Sequence, residues 1–257
     1  MDRASDRLET SPQTPEDIDE LFGQTGIDKR ILTRTVQKGM EEYVDGLVDL
    51  RHGWKPKMMD GSPKEKAELY DDLHAMIKRM DEFSEPYVSS MRLISNVALR
   101  QLAGTTPQAG MSGVRQGIEE ALTYEGTRYD FDEQSVTVTP VDGRPVATRT
   151  NPVSVDGAYS QITDGFTHLK DLLNLVEDAT SPEVYDNVRN TNDFPEARIG
   201  KCFEAAHEID RALRQVMGGY EFLLKKADLS TTDKRRINET LKLLKGLDRS
   251  KLTRVTQ

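Results

Sequence analysis

The sequence predicts a mainly α protein: an antiparallel helical bundle with a small β-hairpin or meander insertion around residues 127–155. Apolar residues recur at helical spacing through most of the 257-residue chain. Only the stretch from Ser135 to Val155 alternates apolar and polar residues around an Asp-Gly turn. Hydrophobic residues make up 36% and charged residues 31% of the chain, which is typical of an elongated helical protein with much surface per buried side chain.

The N-terminal part of the chain begins with polar residues and continues with helix-start signals. Residues 1–13 are polar and are predicted to be flexible, and residues 14–126 are predicted to form a first helical part. Thr14 and the following proline begin a short acidic amphipathic helix that ends at Gly23. Thr25 is the expected cap of the next helix.

Ser62 begins the third predicted helix, because a proline follows it directly and a glutamate lies three residues after it. Pro86 is expected to end or kink that helix, so that Tyr87 to Leu102 forms a second apolar run. Val114 begins a short helix that ends near Gly126.

The second half of the chain, after the β stretch, is again helical. Residues 156–228 are predicted to form a second helical part that packs against the first. The longest predicted helix of the chain follows Pro195, and the Gly218-Gly219 pair within it is expected to allow a bend. Residues 229–257 are predicted to form a basic C-terminal helix, roughly Asp233–Leu247, and a tail.

The β insertion has a defined predicted register. If Asp142-Gly143 are the central residues of a type I′ turn, the turn places three pairs of residues opposite each other on the two strands. They are Val136 with Arg149, Val138 with Ala147 and Thr139 with Val146. An isolated hairpin of this kind is marginal in water, so it must rest on the bundle as a flap or reach a neighbouring subunit as an arm; we favour the arm. The predicted subunit contacts are Val136, Val138, Asp142, Gly143 and Val146.

The charge distribution points to the C-terminus as an anion-binding surface. The chain carries a net charge of −9, but the segment from Lys225 to Gln257 carries ten basic and four acidic residues, so the rest of the chain is strongly acidic. A cationic strip lies beside the apolar stripe of the last helix. It comprises Lys234, Arg235, Lys242, Lys245 and Arg249. This strip could bind nucleic acid or an anionic membrane surface, or it could be a solvated face or dock on the acidic part of the chain.

The short acidic helix near the N-terminus has two interpretations. Its apolar side, Ile18, Leu21 and Phe22, is typical of a docking peptide that binds in the groove of a partner. The alternative is a first helix folded onto its own bundle. The sequence leaves both open.

A dimetal site is the strongest enzyme-like pattern. Asp71-x-x-His74 and Glu204-x-x-His207 have the spacing by which ferritin-like bundles hold two metals. Additional carboxylates would come from Glu41 or Glu42 and from Asp164 or Asp171. At 100° per residue, however, both His-containing pairs point about 100–160° away from the apolar side of their helices. Solvated charge pairs are therefore the favoured interpretation.

The sequence accordingly predicts a non-enzymatic structural or assembly subunit of a multi-subunit complex, with a virion or phage particle as one setting. No catalytic, cofactor or metal residues are predicted, and Cys202 lies on an apolar helix face where an inert thiol is usual. No apolar run is long enough to span a membrane, and we expect a cytoplasmic or virion protein. The alternatives are a nucleic-acid-binding module and, less favoured, a ferritin-like dimetal protein.

Overall fold

The computed structural model describes residues 18–49, 52, 62–106, 111–131, 136–139, 152–180 and 196–247. Within these ranges the chain is mostly helical, as the sequence predicts. The helices are α1 (Ile18–Thr25), α2 (Lys29–Asp49), α3 (Pro63–Gly104), α4 (Ser112–Thr123), α5 (Val155–Ala179), α6 (Glu196–Lys226) and α7 (Thr231–Leu247).

Two short segments between α4 and α5 are extended. They are β1 (Arg128–Phe131) and β2 (Val136–Thr139), which pair antiparallel with Arg128 opposite Thr139 and Phe131 opposite Val136. The hairpin predicted around Asp142-Gly143 lies outside the described residues and is not confirmed.

Helix α3 begins as the sequence predicts but does not end where expected. The Ser62 hydroxyl accepts a hydrogen bond from the Glu65 N–H at 3.4 Å, and the Glu65 carboxylate accepts one from the Ser62 N–H at 2.7 Å. This capping box satisfies two donors at the start of the helix. Of the two outcomes expected at Pro86, an end or a kink, the end is wrong, because α3 continues through the proline. Tyr87 and Val88 are buried immediately after the proline, and this packing offsets the hydrogen bond that the proline lacks.

Two further helix predictions need correction. Among the described helices α3 has 42 residues and α6 has 31, so the longest is not the one that follows Pro195. Thr25 closes α1, where its hydroxyl donates to the Phe22 carbonyl at 2.7 Å. The start of α2 is instead capped by Asp28, whose carboxylate accepts from the Arg30 N–H at 2.7 Å.

Helices α5 and α6 form the most extensive helix pair in the described part of the chain. They approach closely at two glycines. A Cβ at Gly165 would lie 2.6 Å from Val216 Cγ2, and a Cβ at Gly219 would lie 2.6 Å from Ile162 Cγ1. The Gly218-Gly219 pair therefore lies within a continuous α6, where Gly219 allows close packing against α5.

The remaining helices share one hydrophobic core with this pair. Helix α7 buries Ile237, Leu244 and Leu247. The Gln37 amide of α2 donates to the Gly246 carbonyl of α7 at 2.6 Å. Helix α1 packs against α3 and α7.

Candidate functional site at the base of the β strands

Five polar side chains on one side of α5 hold the chain that leads into β1. We call this group the bracket, and it consists of Lys170, Asp171, Asn174, Glu177 and Asp178. At 100° per residue the five side chains fall within a sector of about 120°. The rest of α5 is largely buried and apolar, so the bracket is a polar seam on a core helix.

Two carboxylates of the bracket accept hydrogen bonds from the main chain. Asp171 Oδ1 accepts from the Thr127 N–H at 2.6 Å, and Asp178 Oδ2 accepts from the Tyr129 N–H at 3.0 Å. Hydrogen bonds to charged acceptors are stronger than those between neutral groups. Alternate N–H groups of this segment thus bond to a helix instead of to another strand.

Asn174 provides the complementary donors. Its side chain is fully buried, and Nδ2 donates to the carbonyls of Glu125 at 2.9 Å and Thr127 at 3.1 Å. Residues 125, 127 and 129 therefore all direct main-chain groups towards α5. Side chains of α5 take the place that a neighbouring strand would take in a sheet.

Lys170 binds the end of the preceding helix. It is 5% exposed, and its ammonium donates to the carbonyls of Ala121 at 2.9 Å, Leu122 at 3.2 Å and Tyr124 at 3.0 Å. The last carbonyls of α4 lack helical partners and carry its negative dipole end, so a cation is favourable there. Burial lowers the pKa of Lys170, and the charge of Arg92 lowers it further.

Gly126 is required for this close approach. Its φ is +88°, in the region that favours glycine. A Cβ there would lie 2.6 Å from Asn174 Nδ2 and 3.1 Å from the Lys170 carbonyl oxygen. A larger residue would force the connection away from α5.

Two arginines complete the site with ion pairs. Arg92 of α3 donates to the Asn174 side-chain oxygen and to Glu177 Oε2 at 2.6 Å. Arg128 of β1 donates to the same Glu177 oxygen at 3.2 Å and lies 3.8 Å from Asp178 Oδ1. The bracket thus links α3, α5 and β1.

Burial and these contacts shift the pKa values of Glu177, Asp178 and Tyr129. Burial favours a higher pKa for Glu177, but hydrogen bonds from Arg92 and Arg128 and their charges outweigh it and lower that pKa. Burial raises the pKa of Asp178 despite its hydrogen bond from the Tyr129 N–H. Burial, together with the charges of nearby aspartates, raises the pKa of the Tyr129 phenol to about 12.

The predicted subunit-contact residues fall only partly within the described chain. Val136 and Val138 lie in β2, opposite Phe131 and Tyr129 respectively. The remaining three, Asp142, Gly143 and Val146, lie outside the described residues.

The predicted anion-binding face is exposed but partly neutralised. Lys245 pairs with Glu221 of α6 at 2.8 Å, and Arg235 lies 3.9 Å from Glu239 Oε1. Arg249 lies outside the described residues. The exposed members are Lys234, Arg235, Lys242 and Lys245.

The apolar residues of the predicted docking peptide are buried in the protein's own core. Ile18, Leu21 and Phe22 are 1%, 6% and 2% exposed. The structure therefore favours the alternative, a first helix folded onto the bundle. The apolar side that a partner's groove would need is already occupied.

The dimetal arrangement is not formed. Asp71, His74, Glu204 and His207 are exposed, as their helical phase predicts. Across the described ranges, no three histidine, cysteine, aspartate or glutamate side chains come close enough together to hold a metal. Asp171, one of the additional carboxylates considered, instead belongs to the bracket and also accepts from the Tyr124 hydroxyl at 2.7 Å.

Comparison with known protein families, curated proteins and solved structures found no match. None of the described helices is both long and apolar enough to cross a membrane. Sequence reasoning missed the bracket. The available signal was the spacing of polar residues at positions 170, 171, 174, 177 and 178 on a helix that is otherwise apolar.

Proposed function

We propose that this protein is a non-enzymatic structural or assembly subunit of a multi-subunit complex. The helical bundle is its body, and the strands that begin at residue 128 are an arm for subunit contacts. A virion or phage particle is one setting that fits this architecture.

The observation that carries the proposal is the bracket. Burying a lysine and an asparagine is costly unless their polar atoms are bonded. Here Lys170 and Asn174 donate to main-chain carbonyls of residues 121–127, and not into a cavity. The same side chains therefore fix the position from which β1 leaves the bundle. A contact surface is most specific when rigid elements hold it in place.

Native mass measurement of the full chain tests the proposal. We expect an oligomer, or a complex with co-purifying proteins, whose mass falls when residues 136–139 are replaced by Gly-Ser-Gly-Ser. Ile31→Ser, at a 63% exposed position on α2, is the matched surface control and should leave the mass unchanged. A wild-type chain that remains monomeric at high concentration would overturn the proposal.

A second candidate is nucleic-acid binding through α7. It is favoured by Lys242 and Lys245, which line an open groove together with Asn238, Leu241 and Gly246. Phosphate contacts make binding salt-dependent. Lys242→Glu should then weaken binding to duplex DNA and reduce its salt dependence, measured by fluorescence anisotropy, whereas Lys201→Glu on α6 should not. Equal affinity of the wild type and Lys242→Glu would reject this function.

A further inference from the structure

We propose that the outer edge of β2 binds the outer edge of β2 from a second copy of this chain. The two pairs of strands would then join into one four-stranded antiparallel sheet across a two-fold axis. This inference rests on the proposed function, because it identifies the contact that the arm makes.

The other edge of the strand pair is already occupied. Main-chain groups of residues 125, 127 and 129 bond to Asp171, Asn174 and Asp178 of α5. An added strand cannot bond to that edge without displacing the bracket. Strand addition is therefore restricted to β2.

The direction of the Tyr129 N–H fixes the direction of every other main-chain group in the pair. The Tyr129 N–H points towards α5. Main-chain N–H and C=O groups of successive residues point to opposite edges of a strand, so those of Arg128 and Asp130 point towards β2. They lie opposite Thr139 and Thr137. These two threonines thus use their N–H and C=O groups on the inner edge.

Val136 and Val138 consequently direct their N–H and C=O groups outwards. Two valines supply two donors and two acceptors on this edge. Residue 140 is a proline, which has no N–H to extend the ladder. The outer edge is short and has a defined register.

The turn predicted from the sequence cannot cover this edge in its expected register. In a two-residue turn at Asp142-Gly143, Val141 and Arg144 form a hydrogen-bonded pair. Because such pairs alternate, Thr139 and Thr137 would bond to the returning strand. Those threonine groups already face β1, so the two pairings compete for the same edge.

Chain length also opposes a full return strand. The Thr127 N–H bonds to Asp171, and the Tyr129 N–H bonds to Asp178, which lies seven residues nearer the C-terminal end of α5. Strand β1 therefore runs towards the C-terminal end of α5. Asp178 lies about 35 Å from Val155 along the helix. A residue paired with Val136, as predicted for Arg149, would lie at least that far from Val155. The six residue steps from Arg149 to Val155 span only about 21 Å.

A second copy satisfies the outer edge without these conflicts. A two-fold axis at Thr137 places Val136 opposite Val138 of the partner subunit and Val138 opposite Val136 of the partner subunit. This register forms four N–H···O=C bonds and places Thr137 opposite Thr137 of the partner subunit in a non-hydrogen-bonded pair. The same short surface serves both chains, as a closed dimer requires.

Cysteine cross-linking of the full chain tests the register. Thr137→Cys should form a disulfide-linked dimer, because paired residues there have Cα atoms about 4.5 Å apart. Thr139→Cys should not, because its equivalents lie about 13 Å apart along the strands. The native Cys202 is 1% exposed and should not compete. The readouts are a non-reducing gel and the native mass.

Two further variants test the main-chain bonds. Val138→Pro removes one outward N–H and should reduce the cross-linking of Thr137→Cys at least several-fold, whereas Val138→Ala keeps the N–H and should preserve it. Equal cross-linking at both cysteine positions, or none at Thr137→Cys, overturns the inference. If the native oligomer persists in that case, the proposed assembly function stands without this interface. If the chain is monomeric throughout, both fail.

Discussion

Replacing Lys170 by methionine tests how strongly the bracket holds the start of β1. The ammonium makes three hydrogen bonds of 2.9–3.2 Å to main-chain carbonyls, and methionine keeps the apolar length while removing all three. Each bond contributes about 1 kcal/mol net. The relieved desolvation of the charge offsets part of that loss. We expect the free energy of unfolding to fall by about 2–3 kcal/mol, which corresponds to a decrease in Tm of about 4–12 °C for a chain of this size.

Urea unfolding followed by circular dichroism measures this loss. Lys201→Met is the matched control, because the Lys201 side chain is 42% exposed and pairs with Glu204 three positions later. Such a pair contributes about 0.5 kcal/mol or less. Hydrogen exchange should also show faster exchange of the Thr127 and Tyr129 amides in Lys170→Met. If Lys170→Met loses no more stability than Lys201→Met, the bracket does not hold this connection.

Two other substitutions test packing and charge. Gly219→Ala should destabilise the protein by about 1–3 kcal/mol, because the new Cβ would lie 2.6 Å from Ile162 Cγ1, whereas Gly200→Ala has no atom within 4 Å and should stabilise α6 slightly. Equal effects in urea unfolding would contradict this. Glu177→Gln should lower stability at neutral pH, because arginine contacts outweigh burial and lower the pKa of Glu177. A lowered carboxyl pKa contributes stability that is present above the ordinary value of 4.5 and is lost as the pH falls through the folded value. The difference between the wild type and Glu177→Gln should therefore shrink below pH 4.5, and a pH-independent difference would contradict the assignment.

The parts of the fold that the sequence predicted depend on local signals. The capping box at Ser62 and Glu65 acts within four residues, and the apolar stripe that ends α7 at Leu247 follows helical spacing alone. The outward phase of His74 and His207 likewise follows from 100° per residue. Such features need no knowledge of which other element lies nearby.

Pro86 shows why a local signal can fail. A proline inside a helix removes one hydrogen bond and crowds the preceding turn, which favours a break. Tyr87, Val88 and Met91 follow it and are buried in the core. The residues that they pack against, such as Gly39 of α2, come from distant parts of the chain. The sequence of α3 alone therefore does not show that packing outweighs the lost hydrogen bond.

The bracket was missed for a different reason. The spacing of its polar residues can be read from the sequence, but the main-chain groups that they bind cannot. A polar seam on an amphipathic helix usually faces water, yet Asn174 is fully buried. The polar side chains are needed because of the segment that lies beside them. Residues 124–127 are neither helix nor strand, and their main-chain groups must be bonded once buried. The position of the β strands is therefore determined by side chains of α5 that lie more than forty residues further along the chain.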